Sequence, residues 1–556
     1  MKKLLLGWLA IGLTYGQTVA QSWEVKEGLP QACQDIVFHP HSGALLLTKP
    51  GETGFFLSTP GTRMEMAEKA NDLKVSFEFN VSTSSELTFW IQNKYPVRFR
   101  SLDLGISGSV GNSQPLENAG LSSGLWQTVE IVFSGAVGQK PAKIEELRLN
   151  GRIIQQQLFV QPETRTTGGF VMEATQGISA FRHFKYLAFG SDRPIRLANL
   201  SYSMQGTEGW EKTFELQEGK MNQGTSATLT SQIPTDFKHF ILTYQGDLVV
   251  DKEDDYTFTL DYQGVGEFSI SGKPLVGSGE YIYRVPSSGT IRLKPGTYRF
   301  QYKYQKIWWS PGLGLFVGGT TFRPYALHES NSLNFPDPIG QVNVEVGQNQ
   351  AELIRGFMMF QDKKVTTAFS IGLPGGRSVA MDLAQGAPLF LWKGSFLDVT
   401  EMWHERGEPQ LMAPNGVIRV GSGIPSFIPS KKVVDSLDTE RELVFKGYTL
   451  NDQDIPTLSY EVLGKSAKMS WRSQKEGLQV LVEADPLVYH VIDRAREIDV
   501  FEIKSKKFWE KKEIFYRVNN RFIFPQGKMT MSLEKLGEMT NLISRSVLPQ
   551  SYLIVW

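Results

Sequence analysis

The chain has almost no cysteine, one residue (Cys33) in 556. That excludes intrachain disulfides, zinc ribbons, iron–sulfur clusters and haem attachment through Cys-x-x-Cys-His, and it leaves Cys33 as a small buried hydrophobe. An excess of either charge is also missing. Lys and Arg number 58, Asp and Glu 58. No global basic field exists to hold nucleic acid or an anionic membrane, so no nucleic-acid partner is expected. After the N-terminus no stretch approaches 18 apolar residues, so no transmembrane segment is expected in the mature chain. Walker, dinucleotide Gly-x-Gly-x-x-Gly, His-Glu-x-x-His and Gly-x-Ser-x-Gly patterns are all missing.

What is there favours strands. Apolar residues make up 41%, aromatics 12%, and glycines number 53, the composition of a folded chain built from many short strands and tight turns. The length suggests about three to four domains. The first twenty residues read as an export signal: Lys2 and Lys3, an apolar stretch Leu4 to Leu13, then Thr18-Val19-Ala20 as a small-residue cleavage site. A periplasmic, cell-surface or secreted location follows as an expectation, with envelope proteins as possible partners.

Period-two alternation marks the strands. Val75, Phe77, Phe79 and Val81 alternate with Lys74, Ser76, Glu78 and Asn80, and Val129, Ile131 and Phe133 repeat the pattern. Asn150-Gly151 between Leu149 and Ile153 is a hairpin cue. Further on, Tyr298, Phe300, Tyr302 and Tyr304 share one strand face opposite Arg299, Gln301 and Lys303. Two helical stretches are expected, Ser532 to Ile543 and Phe396 to Arg406. The fold class expected is mainly β: three consecutive β-sandwich-like domains over 21–208, 209–335 and 336–556, after the signal at 1–20.

Three resemblances add to this. Asp72-Leu-Lys-Val-Ser-Phe-Glu-Phe79, Gly124-Leu-Trp-Gln-Thr-Val-Glu-Ile131, Leu147-Arg-Leu-Asn-Gly151 and Gly177-Ile-Ser-Ala-Phe-Arg-His-Phe184 make the first part resemble the 3-keto-disaccharide hydrolase domain, a concanavalin-like sandwich. Asp255-Tyr-Thr-Phe-Thr-Leu260, Gly272 and Lys294-Pro-Gly-Thr-Tyr-Arg-Phe300 make the second resemble the protective-antigen-like β-sandwich. Members of that family that capture sugar through calcium use an Asp pair after the first strand; Asp254-Asp255 here stands before it. Arg355-Gly-Phe357, Leu391-Trp-Lys-Gly394 and Met402-Trp-His-Glu-Arg-Gly407 make the third similar to a bacterial C-terminal β-rich domain that keeps company with sugar-related and cytochrome proteins, without a defined activity.

Several constellations are candidates for chemistry. Trp90 beside Gln92, Asn93 and Arg98 suggests a shallow sugar trough on the first sandwich, with the indole as stacking surface. Trp308 and Trp309, with Tyr302 and Tyr304, suggest a second aromatic platform. On the expected helix from Phe396, Asp398, Glu401 and Glu405 form an acidic stripe with His404 alongside, fit for acid–base work or a divalent metal, while Phe396, Val399 and Trp403 face the core. The bland reading is a solvated helix face. His39 and His41 would share one face of an extended strand, and His183 would line or back a sheet face. Glu78, Glu86, Glu130 and Glu173 are available carboxylates without a motif to choose among them. No cofactor is identified; a divalent metal stays possible.

The function expected is that of an exported, carbohydrate-directed multidomain protein. A hydrolase or lyase acting on glycosides and a non-catalytic carbohydrate-binding or interaction scaffold both stay open, as does an accessory subunit of a sugar-oxidising system. N-terminal sequencing of envelope protein should find Gln21 first; intact Lys2 and Lys3 would refute cleavage after Ala20.

Overall fold

The computed structural model describes residues 23–68, 70–163, 168–207, 221–277, 282–283, 286–307, 310–333, 341–404, 410–430, 437–503, 512–545 and 549–556. The protein is nearly all β, with several sheets and, among the described residues, a single five-residue helix, Thr400–His404. The chain forms two compact units, one from residues 70–74 and 185–338, the other from 22–69, 75–184 and 339–556.

In the larger unit, two antiparallel sheets pack face to face. The six-stranded sheet runs, in spatial order, Glu24–Glu27, Arg63–Met66, Phe170–Gln176, Glu86–Ile91, Tyr95–Arg100, Ser109–Val110. The seven-stranded sheet places Asp72–Val81 between Gln127–Ser134 and Ser179–Phe189. Alternation does what the sequence pattern requires. Leu73, Val75, Phe77 and Phe79 are buried while Lys74, Ser76 and Glu78 are half-exposed. Phe77 meets Phe89 of the opposite sheet at 5.1 Å between ring centres, and Phe79 meets Phe99 at 4.7 Å. Cys33 is buried in a separate apolar cluster with Ile36, Phe38, Phe56, Trp126 and Ala180, where burial pushes its thiol up to about 11.

The expected hairpin is present. Strands Lys143–Leu149 and Arg152–Phe159 pair antiparallel, with Leu149 opposite Arg152. Asn150 and Gly151 both take positive φ, 51° and 83°, the left-handed pair a tight two-residue turn needs.

The C-terminal part of the same unit adds sheets of six, four and eight strands. Its last strand, Gln550–Val555, sits inside the eight-stranded sheet between Leu478–Ala484 and Arg521–Gln526. Two expectations are corrected here. Ser532 to Ile543 is no helix. Met531–Leu536 and Met539–Ser544 form a hairpin about Gly537, whose φ is +61°. The three-to-four spacing of Leu533, Leu536, Met539 and Leu542 arises because a two-residue turn interrupts two strands, and Leu533 in fact lies exposed. Phe396 also starts no helix, since it belongs to strand Ala387–Asp398.

The smaller unit is organised by one 17-residue strand, Asp254–Ile270. Its first half pairs with Ser287–Leu293 and Leu313–Gly318, its second half with Gly296–Lys306. The strand changes partners near Gly264, whose φ is +130° and where a Cβ would stand 2.1 Å from the Gln305 carbonyl oxygen. Only glycine fits there. Phe300, Tyr302 and Tyr304 face inward and are buried, as their alternation implies.

A charged joint holds the sandwich against the C-terminal sheets within the larger unit. Arg517 donates to Asp35 at 2.5 Å and, through Nε, to Asp499 at 2.8 Å. The Trp126 indole N–H donates to Asp35 at 2.7 Å, and the Arg182 guanidinium lies 4.0 Å over the Trp126 ring. Burial pushes the Asp35 carboxyl up, but the Arg517 hydrogen bonds and charge, helped by Trp126 and Arg182, outweigh it and hold the group below its usual value. A lowered native pKa stabilises the fold above the unfolded value, about 4, and the gain disappears as pH falls through the native value. Arg517→Met should therefore cost about 3 kcal/mol in urea unfolding at neutral pH. The difference from wild type should shrink below about pH 4; an undiminished gap at pH 2 would contradict the linkage.

Candidate functional site

The outer face of the six-stranded sheet carries an organised set of half-exposed polar side chains. Strand Tyr95–Arg100 turns Tyr95, Val97 and Phe99 into the core, so Arg98 and Arg100 point outward. Strand Phe170–Gln176 buries Phe170, Met172 and Ala174 inward and so presents Glu173 and Thr175 outward. Strand Arg63–Met66 adds Arg63. The groups are mutually engaged. Arg100 is paired with Glu86, and the Thr175 hydroxyl donates to Glu86 at 2.9 Å. Arg98 donates to Glu163 at 2.8 Å, and Arg63 to the Asn93 side-chain oxygen at 3.0 Å. The Thr88 and Thr175 hydroxyls lie 3.1 Å apart.

Trp90 lies on this face, yet it is only 3% exposed. Its cross-strand neighbours are Val171 on one side and Pro96 on the other, both buried, so the ring belongs to an apolar strip crossing three strands. Its indole N–H donates to Glu173 at 2.9 Å. The ring therefore presents no open stacking surface; it supports Glu173 from beneath. Gln92 and Asn93 sit in the turn after this strand, both at positive φ, 55° and 53°. Asn93 is buried against Arg63, and the Gln92 carbonyl accepts the Gly168 N–H at 3.2 Å. Arg98 remains on the face.

The four available glutamates part company. Glu86 and Glu173 share the six-stranded face, whereas Glu78 and Glu130 belong to the other sheet. Glu78 accepts from Arg182 at 2.7 Å and lies 3.5 Å from His183 Nδ1, which is itself exposed. Arg63, Arg100 and Glu163 were not singled out from sequence, although the alternation that exposes Arg98 exposes Arg100 as well.

The remaining candidates are dispersed. Asp398 ends a strand and caps the short helix, its Oδ1 accepting the Thr400 N–H at 2.9 Å while Oδ2 accepts from Gln341 at 2.9 Å. Because the helix starts only at Thr400, Asp398 and Glu401 form no continuous stripe. Trp403 is 57% exposed rather than core, whereas Phe396 and Val399 are buried as expected. Glu405 and the His404 side chain lie outside the described residues, as do Trp308 and Trp309. Tyr302 and Tyr304 are fully buried, their hydroxyls donating to the carbonyls of Gly314 and Gln263, so they provide no sugar platform. His39 and His41 occupy a turn, not a strand. His39 Nδ1 accepts the backbone N–H groups of His41 and Ser42 at 3.2 and 3.0 Å. Burial, only partly opposed by Glu513, holds that imidazole below its ordinary value. Among the described residues, no three His, Cys, Asp or Glu side chains gather as a metal group.

No family model and no curated protein matches the sequence. Among solved structures, a β-glucosidase from Kluyveromyces marxianus in complex with glucose aligns at 16% identity over 22% of this chain and 16% of its own length, with a TM-score of 0.17. A candidate glycosyl hydrolase from Parabacteroides distasonis aligns at 12% identity over 30% of this chain and all of its own, with a TM-score of 0.21. An anti-sigma factor domain-containing protein from Clostridium clariflavum aligns at 11% identity over 54% and 98%, also with a TM-score of 0.21. Likeness this low carries no functional argument.

Burial of Trp90 gives a direct expectation. Trp90→Ala should lower unfolding stability by about 3–5 kcal/mol, the cost of emptying a packed indole site, measured by denaturant titration. A change under about 0.5 kcal/mol, the range of surface substitutions, would mean that the ring is not packed.

Proposed function

We propose that the chain is an exported carbohydrate-directed protein whose glycan-binding surface is the outer face of the six-stranded sheet. The observation that carries this reading is the alternation of acceptors and donors on that face: Glu86, Glu173 and Glu163 interleaved with Arg98, Arg100 and Thr175. Sugar hydroxyls donate and accept at once, so a surface offering both signs within one hydrogen-bond reach suits them. Each new bond replaces one to water, which limits the net gain. Affinity should lie on the order of micromolar to millimolar. The sequence resemblance of the first sandwich to a sugar-active domain points the same way.

Hydrolysis of a glycoside is the second reading, favoured by register. Glu173 lies opposite Thr88, two residues from Glu86 on the same face. The backbones of such diagonal neighbours stand about 7–8 Å apart, which lets their side chains set the carboxyl groups at a catalytic separation. Inverting glycosidases place their two carboxyls about 6.5–9.5 Å apart.

One pair of variants tests both. Titration of wild type across a glycan panel should find a ligand, and Arg98→Ala should weaken it about tenfold while leaving the fold intact. Glu173→Gln should abolish any turnover but retain binding if hydrolysis operates. No binding by folded wild type to any panel member would end the carbohydrate reading.

A further inference from the structure

In the C-terminal part of the larger unit, a cleft of about 470 Å³ opens beside strand Ala413–Val420, lined among others by Arg419, Ser422, Arg494, Asn519 and Met539. Among the described residues its lining includes two guanidinium groups and no carboxylate. The nearby acid is already engaged. Asp493 and Arg521 form a pair 2.6 Å apart, each side chain almost wholly buried, and Asp493 Oδ1 also accepts the Arg494 backbone N–H at 2.8 Å. Among the described residues Arg419 has no such partner: its Nη1 donates to its neighbour's carbonyl, that of Ile418, at 3.2 Å, while Nε and Nη2 are buried without a hydrogen bond.

The surroundings worsen the imbalance. Lys393 lies on the adjacent strand opposite Val417, with Arg377 opposite it on the far side. Burial, with the charges of Arg377 and Arg419, pushes the Lys393 ammonium down to about 8. Burial and Arg521 push Arg419 down to about 10, so it still carries its charge at neutral pH. A guanidinium with two buried idle donors, close to the cations Arg521 and Lys393 and with the nearby Asp493 already engaged, is costly to fold. Such a group is tolerated where a ligand of opposite charge completes it.

We propose that this cleft is an oxyanion-binding site that takes the carboxylate or sulfate group of a small acidic sugar, with Arg419 as its charge partner and Arg494 beside it. The planar guanidinium fork matches the paired oxygens of either group. The cleft falls within the roughly 300–1,000 Å³ of ordinary ligand pockets, so it admits a ligand larger than a bare ion. Arg419 lines the cleft, and turning its buried Nε and Nη2 toward a ligand gives up only the 3.2 Å bond from Nη1 to the Ile418 carbonyl. The site is separate from the six-stranded face and does not depend on sugar binding there.

The full chain is titrated calorimetrically at low salt with sodium glucuronate, with a glucose sulfate ester and with glucose. At least one acidic sugar should bind, more weakly as salt rises, and which of the two binds distinguishes carboxylate from sulfate. Arg419→Met keeps the apolar stem and removes the charge. It should weaken acidic-sugar binding at least about tenfold, with a melting temperature unchanged or raised, because an unpaired buried charge is gone. Arg494→Met provides the same comparison at the second guanidinium of the lining and should weaken binding likewise. No binding of either acidic sugar to folded wild type would overturn the proposal. So would affinity undiminished in both variants, or a glucose affinity equal to that of the acidic sugars and equally lost in Arg419→Met.

Discussion

Arg517, shared between Asp35 and Asp499, joins positions 482 residues apart in a chain that has no disulfide to do so. Its placement explains several other features of the larger unit. The Trp126 indole completes the hydrogen bonding of Asp35, and Arg182 covers the indole ring. Asn520 donates to the Trp126 carbonyl at 2.7 Å and accepts its N–H at 3.0 Å, while Ser122 reaches the carbonyl of Trp556 at 3.1 Å. A half-buried charge pair is favourable only where every lone pair finds a donor. That requirement holds the C-terminal sheets in one position against the sandwich and leaves the sandwich's other sheet to face solvent.

On that free face, the same alternation that builds the core sorts the polar groups. Each outward position is flanked by outward positions on neighbouring strands, so carboxylates and guanidinium groups distant in sequence become adjacent. The apolar strip of Val171, Trp90 and Pro96 then anchors them from within the sheet. Trp90 thus acts through the orientation of Glu173 rather than through its own ring face. Paired charges on the face contrast with the unpaired Arg419 in the C-terminal cleft. The first arrangement exchanges hydrogen bonds with a neutral, hydroxylated ligand; the second calls for a compensating charge.

Much of the local structure was legible in the sequence. The period-two runs around Phe77 and Tyr302, the Asn150-Gly151 turn and the buried Cys33 follow from side-chain periodicity and backbone sterics, which act over a few residues. The Met531–Ser544 segment misled because leucines spaced by three and four arise equally from a helix and from two strands broken by a glycine turn. Only the cross-strand partners, Leu536 opposite Met539 and Leu533 opposite Leu542, separate the two.

The candidate site was legible only in part. Alternation along single strands told that Arg98 and Glu173 share no face with the core residues beside them, but not that they share a face with each other. That depends on which strands pair, a long-range choice made by the whole sheet order. The same holds for Trp90, whose burial depends on Val171 and Pro96 across two neighbouring strands. It holds again for Arg419, whose lack of a partner depends on where Asp493 spends its oxygens. Short-range sterics and periodicity are written in the sequence itself; the meeting of charges across strands is decided only once the sheets have assembled.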